Sequence, residues 1–198
     1  MESVVLALLL AFAWVVLKTR DERRRIVLLG SHLRHYQIEK LMEQLTQGYL
    51  RALDEPDAAR RAQIWSNLAV AEQQLAAQFA RFSAEVARLP AEQTRVCRWT
   101  LPLIDRWWPA STFDLRAALA IHARGLQTVT DNAEGRSPKA RARMLLAEML
   151  LMQHTCHWFC KSRAVASARL LARHRTSYAQ ALEAVSPATR REHQALVG

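Results

Sequence analysis

The chain has 198 residues, of which 28 are Lys or Arg and 18 are Asp or Glu, a formal charge of +10. Five glycines and six prolines are too few for a fibrous or low-complexity chain, and three cysteines (Cys97, Cys156, Cys160) do not make a disulfide framework. Ala, Leu, Arg, Gln and Glu dominate, so composition points to an all-α protein with material for one sizeable core.

The first element is an uncharged run over residues 3–17 (SVVLALLLAFAWVVL), closed by Lys18, Arg20, Arg23, Arg24 and Arg25. A spanning helix needs roughly 17 to 25 residues. Counted from Met1 and Glu2 to Leu17 the segment is at the short limit, which the long stems of Lys18 and Arg20 relieve by snorkelling. A cleaved signal fits poorly, since such a signal carries positive charge before its apolar core and small residues after it. Here Glu2 comes before the run and KTRDERRR after. The Lys/Arg asymmetry places the N-terminus outside and the body in the cytoplasm of an inner-membrane protein. Residues 1–25 are thus read as a single transmembrane anchor with a basic stop. Residues 26–185 are read as a cytoplasmic helical bundle with long, partly coiled-coil-like helices, and 186–198 as a short C-terminal helix or frayed tail. The five cations at the anchor's end are expected to touch anionic phospholipid.

Beyond the stop, Gly30 and Ser31 offer a joint, with Ser31 as N-cap of a helix reaching about Leu53. Ile38, Leu41, Met42, Leu45, Tyr49 and Leu53 fall on one face of it. DEPDAARR marks the next boundary, and a strict alternation of three- and four-residue steps follows: Trp65, Leu68, Glu72, Leu75, Phe79, Phe82, Val86 and Leu89. This a/d seam, interrupted at Glu72, packs either inside the chain's own bundle or against a second protein, including another copy of the chain. In the second case Trp65 through Val86 are the partner interface.

Pro90 ends that helix and opens another, on which Val96, Trp99, Leu103 and Trp107 align with Ile104 and Trp108 beside them. Pro102 should kink or break it. Tryptophan with Arg95, Arg98 and Arg106 nearby suits a headgroup boundary, so Trp99, Trp107 and Trp108 are lipid-contact candidates as well as core candidates. STFD (Ser111 to Asp114) then caps a helix carrying Leu115, Leu119, His122, Leu126 and Val129. After TDNAEGRSP, Ser137 and Pro138 start the longest helical run, since no Gly or Pro occurs from Lys139 to Ser186. Positions 136–175 hold nine Lys or Arg against the single acid Glu148, a local charge of +8.

One cluster has the composition of a chemical site: Cys156, His157 and Cys160 in HTCHWFC, a candidate for metal or thiol-redox chemistry that needs a further ligand from another helix. No glycine-rich phosphate loop, HExxH or GxSxG is present, and no cofactor motif. The reading favoured by these features is a membrane-anchored adaptor, scaffold or accessory subunit of an inner-membrane assembly, working through protein and anionic-lipid contacts. A membrane-tethered nucleic-acid binder using the basic 136–175 stretch is the alternative, and the Cys/His site the third.

Overall fold

Helix α1 spans Glu2–Leu33 as one uninterrupted helix of 32 residues in the computed structural model, which describes residues 2–98 and 111–198. At 1.5 Å per residue its length is roughly 48 Å, against a hydrocarbon core of about 30 Å. Its Ser3–Leu33 portion is long and apolar enough to cross a membrane, and its most apolar window is not buried against the rest of the chain. Leu8 and Phe12 are 66% and 69% exposed. The joint expected at Gly30–Ser31 is absent: the helix passes through both residues, and the Ser31 hydroxyl donates back to the Leu28 carbonyl (2.8 Å) instead of capping a new helix. The chain turns at 34–37 and resumes as α2 (Ile38–Asp54).

A three-residue connection folds α2 onto α3 (Ala58–Val86), whose N-cap Asp57 accepts the Arg60 N–H at 2.7 Å. The buried face of α2 is Ile38, Leu41, Leu45, Tyr49 and Ala52, whereas Leu53 points outward. Gly48 sets the spacing of the pair, since a Cβ there would lie 2.3 Å from Leu68 Cδ2. Leu68, Glu72, Leu75, Phe79, Phe82 and Val86 are all buried, with Trp65 and Leu89 partly so. The heptad seam therefore faces α2 and α5 of its own chain.

The chain next forms α4 (Ala91–Thr94) and β1 (Arg95–Cys97). β1 pairs antiparallel with β2 (Thr112–Asp114), Val96 opposite Phe113. A helix was the expectation from Val96 and a cap at Ser111; both are corrected. Val96 and Phe113 are buried while their neighbours are half-buried, the alternation of a strand. Asp114 is the cap of α5 (Leu115–Asp131), accepting the Arg116 N–H at 2.9 Å and the Thr94 hydroxyl at 3.0 Å. Trp99, Trp107 and Trp108 lie outside the described residues.

Four helices complete the chain: α6 (Pro138–Cys160), α7 (Arg163–His174), α8 (Tyr178–Ala184) and α9 (Pro187–Val197). Serine caps each one, Ser137, Ser162, Ser177 and Ser186 accepting the N–H three residues on. The long run is thus broken twice without Gly or Pro, by those hydroxyls and by Arg175, which ends α7 in the left-handed region (φ 51°). The C-terminal segment is not frayed: α9 packs on α5 with Thr189, His193 and Val197 buried. α6 is buried on nearly every side from Leu145 to Phe159 and is the central helix of the body.

Candidate functional site

Two regions combine charge, burial and convergence of elements: the junction of α1 with the body, and a polar layer inside α5–α9. At the junction, Lys18, Arg20, Arg23 and Arg24 are exposed on α1, as a lipid-facing collar requires. Arg25 departs from them. Its Nε lies 2.8 Å from Asp21 Oδ2, its Nη1 donates to the carbonyls of Arg95 (3.0 Å) and Phe159 (3.4 Å), and its guanidinium sits over the Phe159 ring. One turn earlier Glu22 pairs with Lys161 at 2.6 Å, and one turn later Leu29 is buried. His32 Nδ1 and the Tyr36 hydroxyl both meet Glu85, whose carboxyl is held below its ordinary range by those two hydrogen bonds. Arg25 is therefore a docking residue, and the helix that leaves the apolar segment is fastened to α3, β1 and α6 by side chains one turn apart.

The partner-interface residues of the seam are occupied internally. Tyr49 donates to Glu72 Oε1 at 2.9 Å, and Arg141 of α6 lies 2.9 Å from Glu72 Oε2. Burial raises the Glu72 carboxyl, opposed by these two partners, and raises the Tyr49 phenol above its ordinary value. The one polar interruption of the seam is thus the link that ties α2, α3 and α6 together.

The candidate thiol site does not gather ligands. Cys156 and Cys160 are half-buried against the core, and burial pushes their thiols up to about 12 and about 11. Such thiols stay protonated at neutral pH, so neither sulfur is a ready nucleophile. Burial lowers His157, with Arg169 and Arg173 adding to the effect. Among the described residues no group of three or more His, Cys, Asp or Glu is placed to share a metal ion.

The basic 136–175 stretch does not form one cationic face. Arg136 pairs with Glu134, Arg141 with Glu72 and Lys161 with Glu22, while Arg163 lies over the rings of Trp158 and Tyr178. Lys139, Arg143, Arg169, Arg173 and Arg175 remain exposed, divided between two helices and a cap.

The second region was not visible as a unit in the sequence. His122 (α5), His154 (α6) and His193 (α9) are each at most 1% exposed. His122 Nε2 lies 2.9 Å and His193 Nε2 3.5 Å from the Thr155 hydroxyl, which itself donates to the Leu151 carbonyl. A hydroxyl already donating must accept from both rings, so both carry the proton on Nε2 and leave a bare Nδ1 lone pair. Those two Nδ1 atoms, and that of His154, have no hydrogen-bond partner among the described residues. His154 bonds Ser167 of α7 through Nε2 (3.0 Å) and lies 4.7 Å from the Tyr178 ring of α8. Burial pushes His154 down to about 3, helped by His193 and Arg163, and His193 down to about 4; His122 falls well below its ordinary value for the same cause. All three rings are neutral at physiological pH. Beside them, fully buried Glu148 accepts the Ser186 N–H at 3.0 Å at the start of α9. Gly125 makes space for it, since a Cβ there would lie 2.5 Å from Glu148 Oε2 and 2.4 Å from Thr189 Oγ1. His122 was readable as a core histidine from its place on an apolar stripe, but His193 stands in the polar string TRREHQAL and carried no signal.

Comparison of the chain with protein-family models, curated proteins and solved structures gave no significant match.

Proposed function

We propose that the protein is a single-pass protein of the inner membrane, N-terminus outside, whose helical body stands at the cytoplasmic face as an adaptor or accessory subunit of a membrane assembly. The observation that carries this reading is the continuity of α1: its exposed apolar turns run without a break into the turns pinned to the body by Glu22, Arg25 and Leu29. An anchor joined by a flexible linker would leave the body free to tumble. One continuous with the body presents a fixed face to the bilayer plane and to any neighbour in it. Lys18, Arg20, Arg23 and Arg24 follow the apolar run and set the orientation by the positive-inside rule. The 65–86 seam is packed within the chain, so partner contact is assigned to the outer surface of the body.

The test begins with membranes from cells producing the full chain, washed in alkaline carbonate, cross-linked and extracted in mild detergent. The reading expects the chain to resist carbonate and to elute with a companion protein. Recovery in the carbonate supernatant would overturn the anchor; a carbonate-resistant chain that always elutes as a bare monomer would overturn the adaptor role.

A further inference from the structure

A cleft of about 1270 Å³ lies along α1, lined there by Val15 and Val16, then Arg20, Arg23 and Arg24, then Val27 and Leu28, and on the body by Glu92, Gln93 and Arg95. Five arginines line it against two acids, Asp21 and Glu92, a balance of 5 − 2 = +3. Asp21 is engaged by Arg25. Arg20, Arg23, Arg24 and Arg95 form no ion pair among the described residues, and the first three are exposed.

We propose that this cleft binds one anionic phospholipid, its phosphate held by Arg20, Arg23, Arg24 and Arg95 and its acyl chains descending past Val15 and Val16. The proposal deepens the membrane reading above and rests on it. Spacing comes first: Val16, Arg20, Arg23 and Val27 recur at steps of four, three and four, so apolar and cationic residues share one stripe of the helix. Depth comes next. Arg20 to Arg24 sit roughly 4 to 10 Å beyond Leu17 at 1.5 Å per residue, which is the headgroup layer outside the hydrocarbon core. A planar guanidinium matches a phosphate with two parallel hydrogen bonds, and several converging on a concave surface hold it more firmly than a flat basic patch. The Val15 and Val16 end of the cleft is apolar. That end lies at the edge of the hydrocarbon layer, where the acyl chains of a lipid whose phosphate sits on the arginines would run.

The full chain is reconstituted in nanodiscs of phosphatidylcholine with a minority of phosphatidylglycerol, released into mild detergent and weighed by native mass spectrometry. Wild type is expected to retain one phosphatidylglycerol per chain. The double variant R23Q/R24Q, altered only at exposed positions, is expected to retain it about thirtyfold more weakly. K139Q/R143Q, with the same charge change far along the chain, is expected to behave as wild type. Equal retention of both lipids, or equal loss in both double variants, would overturn the cleft while leaving the anchor intact. Displacement of the bound lipid by millimolar inorganic phosphate would assign the arginines to a soluble anion and overturn the lipid. A chain that stays soluble without detergent would overturn the membrane reading itself.

Discussion

Glu22 and Lys161, 139 positions apart in the chain, close an ion pair of 2.6 Å between the outgoing turn of α1 and the end of α6. With Arg25 and Leu29 on the following turns, it makes the long apolar helix part of the body. The pair is partly exposed, so each single reversal, Glu22→Lys or Lys161→Glu, should cost no more than about 1 kcal/mol. The readout is amide exchange over residues 26–33 in detergent-solubilised protein. Faster exchange in either reversal and recovery in the double swap is the expected pattern. Identical exchange in all four proteins would show that the pair does not hold the helix.

The Glu72 link makes a larger effect. Glu72→Ala leaves the Arg141 guanidinium beside a cavity and the Tyr49 hydroxyl without its acceptor, and should destabilise by about 3 to 5 kcal/mol in urea unfolding. Glu72→Ala combined with Tyr49→Phe should cost less than the sum of the two singles, because the second change removes a group the first has already orphaned.

Much of this was legible in the sequence, and the reasons are local. The seam from Leu68 to Val86 announces itself because every contact it makes repeats at three and four residues, and the apolar run of α1 because nothing charged interrupts it. What was hidden depends on partners far along the chain. Val96 and Phe113 belong to a three-residue ladder with no periodicity to detect. Arg25 is one of three consecutive arginines, and only its turn toward Phe159 separates it from Arg23 and Arg24. The breaks at Ser162 and Ser177 lack Gly and Pro, and His193 is buried in a segment whose composition reads as solvent-facing.

Gly125 lets α5 approach Glu148 of α6 and Thr189 of α9 closely, with no room for a Cβ. Gly125→Ala should push Glu148 or Thr189 aside and lower stability by about 1 to 3 kcal/mol, despite the higher helix propensity of alanine. Thermal unfolding monitored by circular dichroism checks this; an unchanged or raised midpoint would mean that the α9 contact yields freely.

The three buried histidines make a pH prediction with a definite sign. Each is held neutral in the fold, with His154 at about 3 and His193 at about 4, whereas in the unfolded chain they titrate near 6.5. Below pH 6.5 the unfolded state therefore takes up protons that the folded state refuses. The stability they contribute is complete above that pH and declines as pH falls, by up to about 4 kcal/mol per unit for three protons. Burial raises the carboxyls of Glu72 and Glu148, which acts the other way and offsets part of the loss as they protonate in the fold. His193→Gln should reduce the slope of urea-unfolding stability between pH 7 and 5.5 by up to one proton, about 1.4 kcal/mol per unit. A slope equal to wild type would remove His193 from the account.

The most direct test of the central claim is the sidedness of the C-terminus in living bacterial cells. Fusions of green fluorescent protein and of alkaline phosphatase to the C-terminus report opposite sides of the inner membrane. A body anchored at the cytoplasmic face gives a fluorescent, membrane-localised first fusion and an inactive second one. An active phosphatase fusion, or fluorescence spread evenly through the cytoplasm, would contradict an anchored body at the cytoplasmic face.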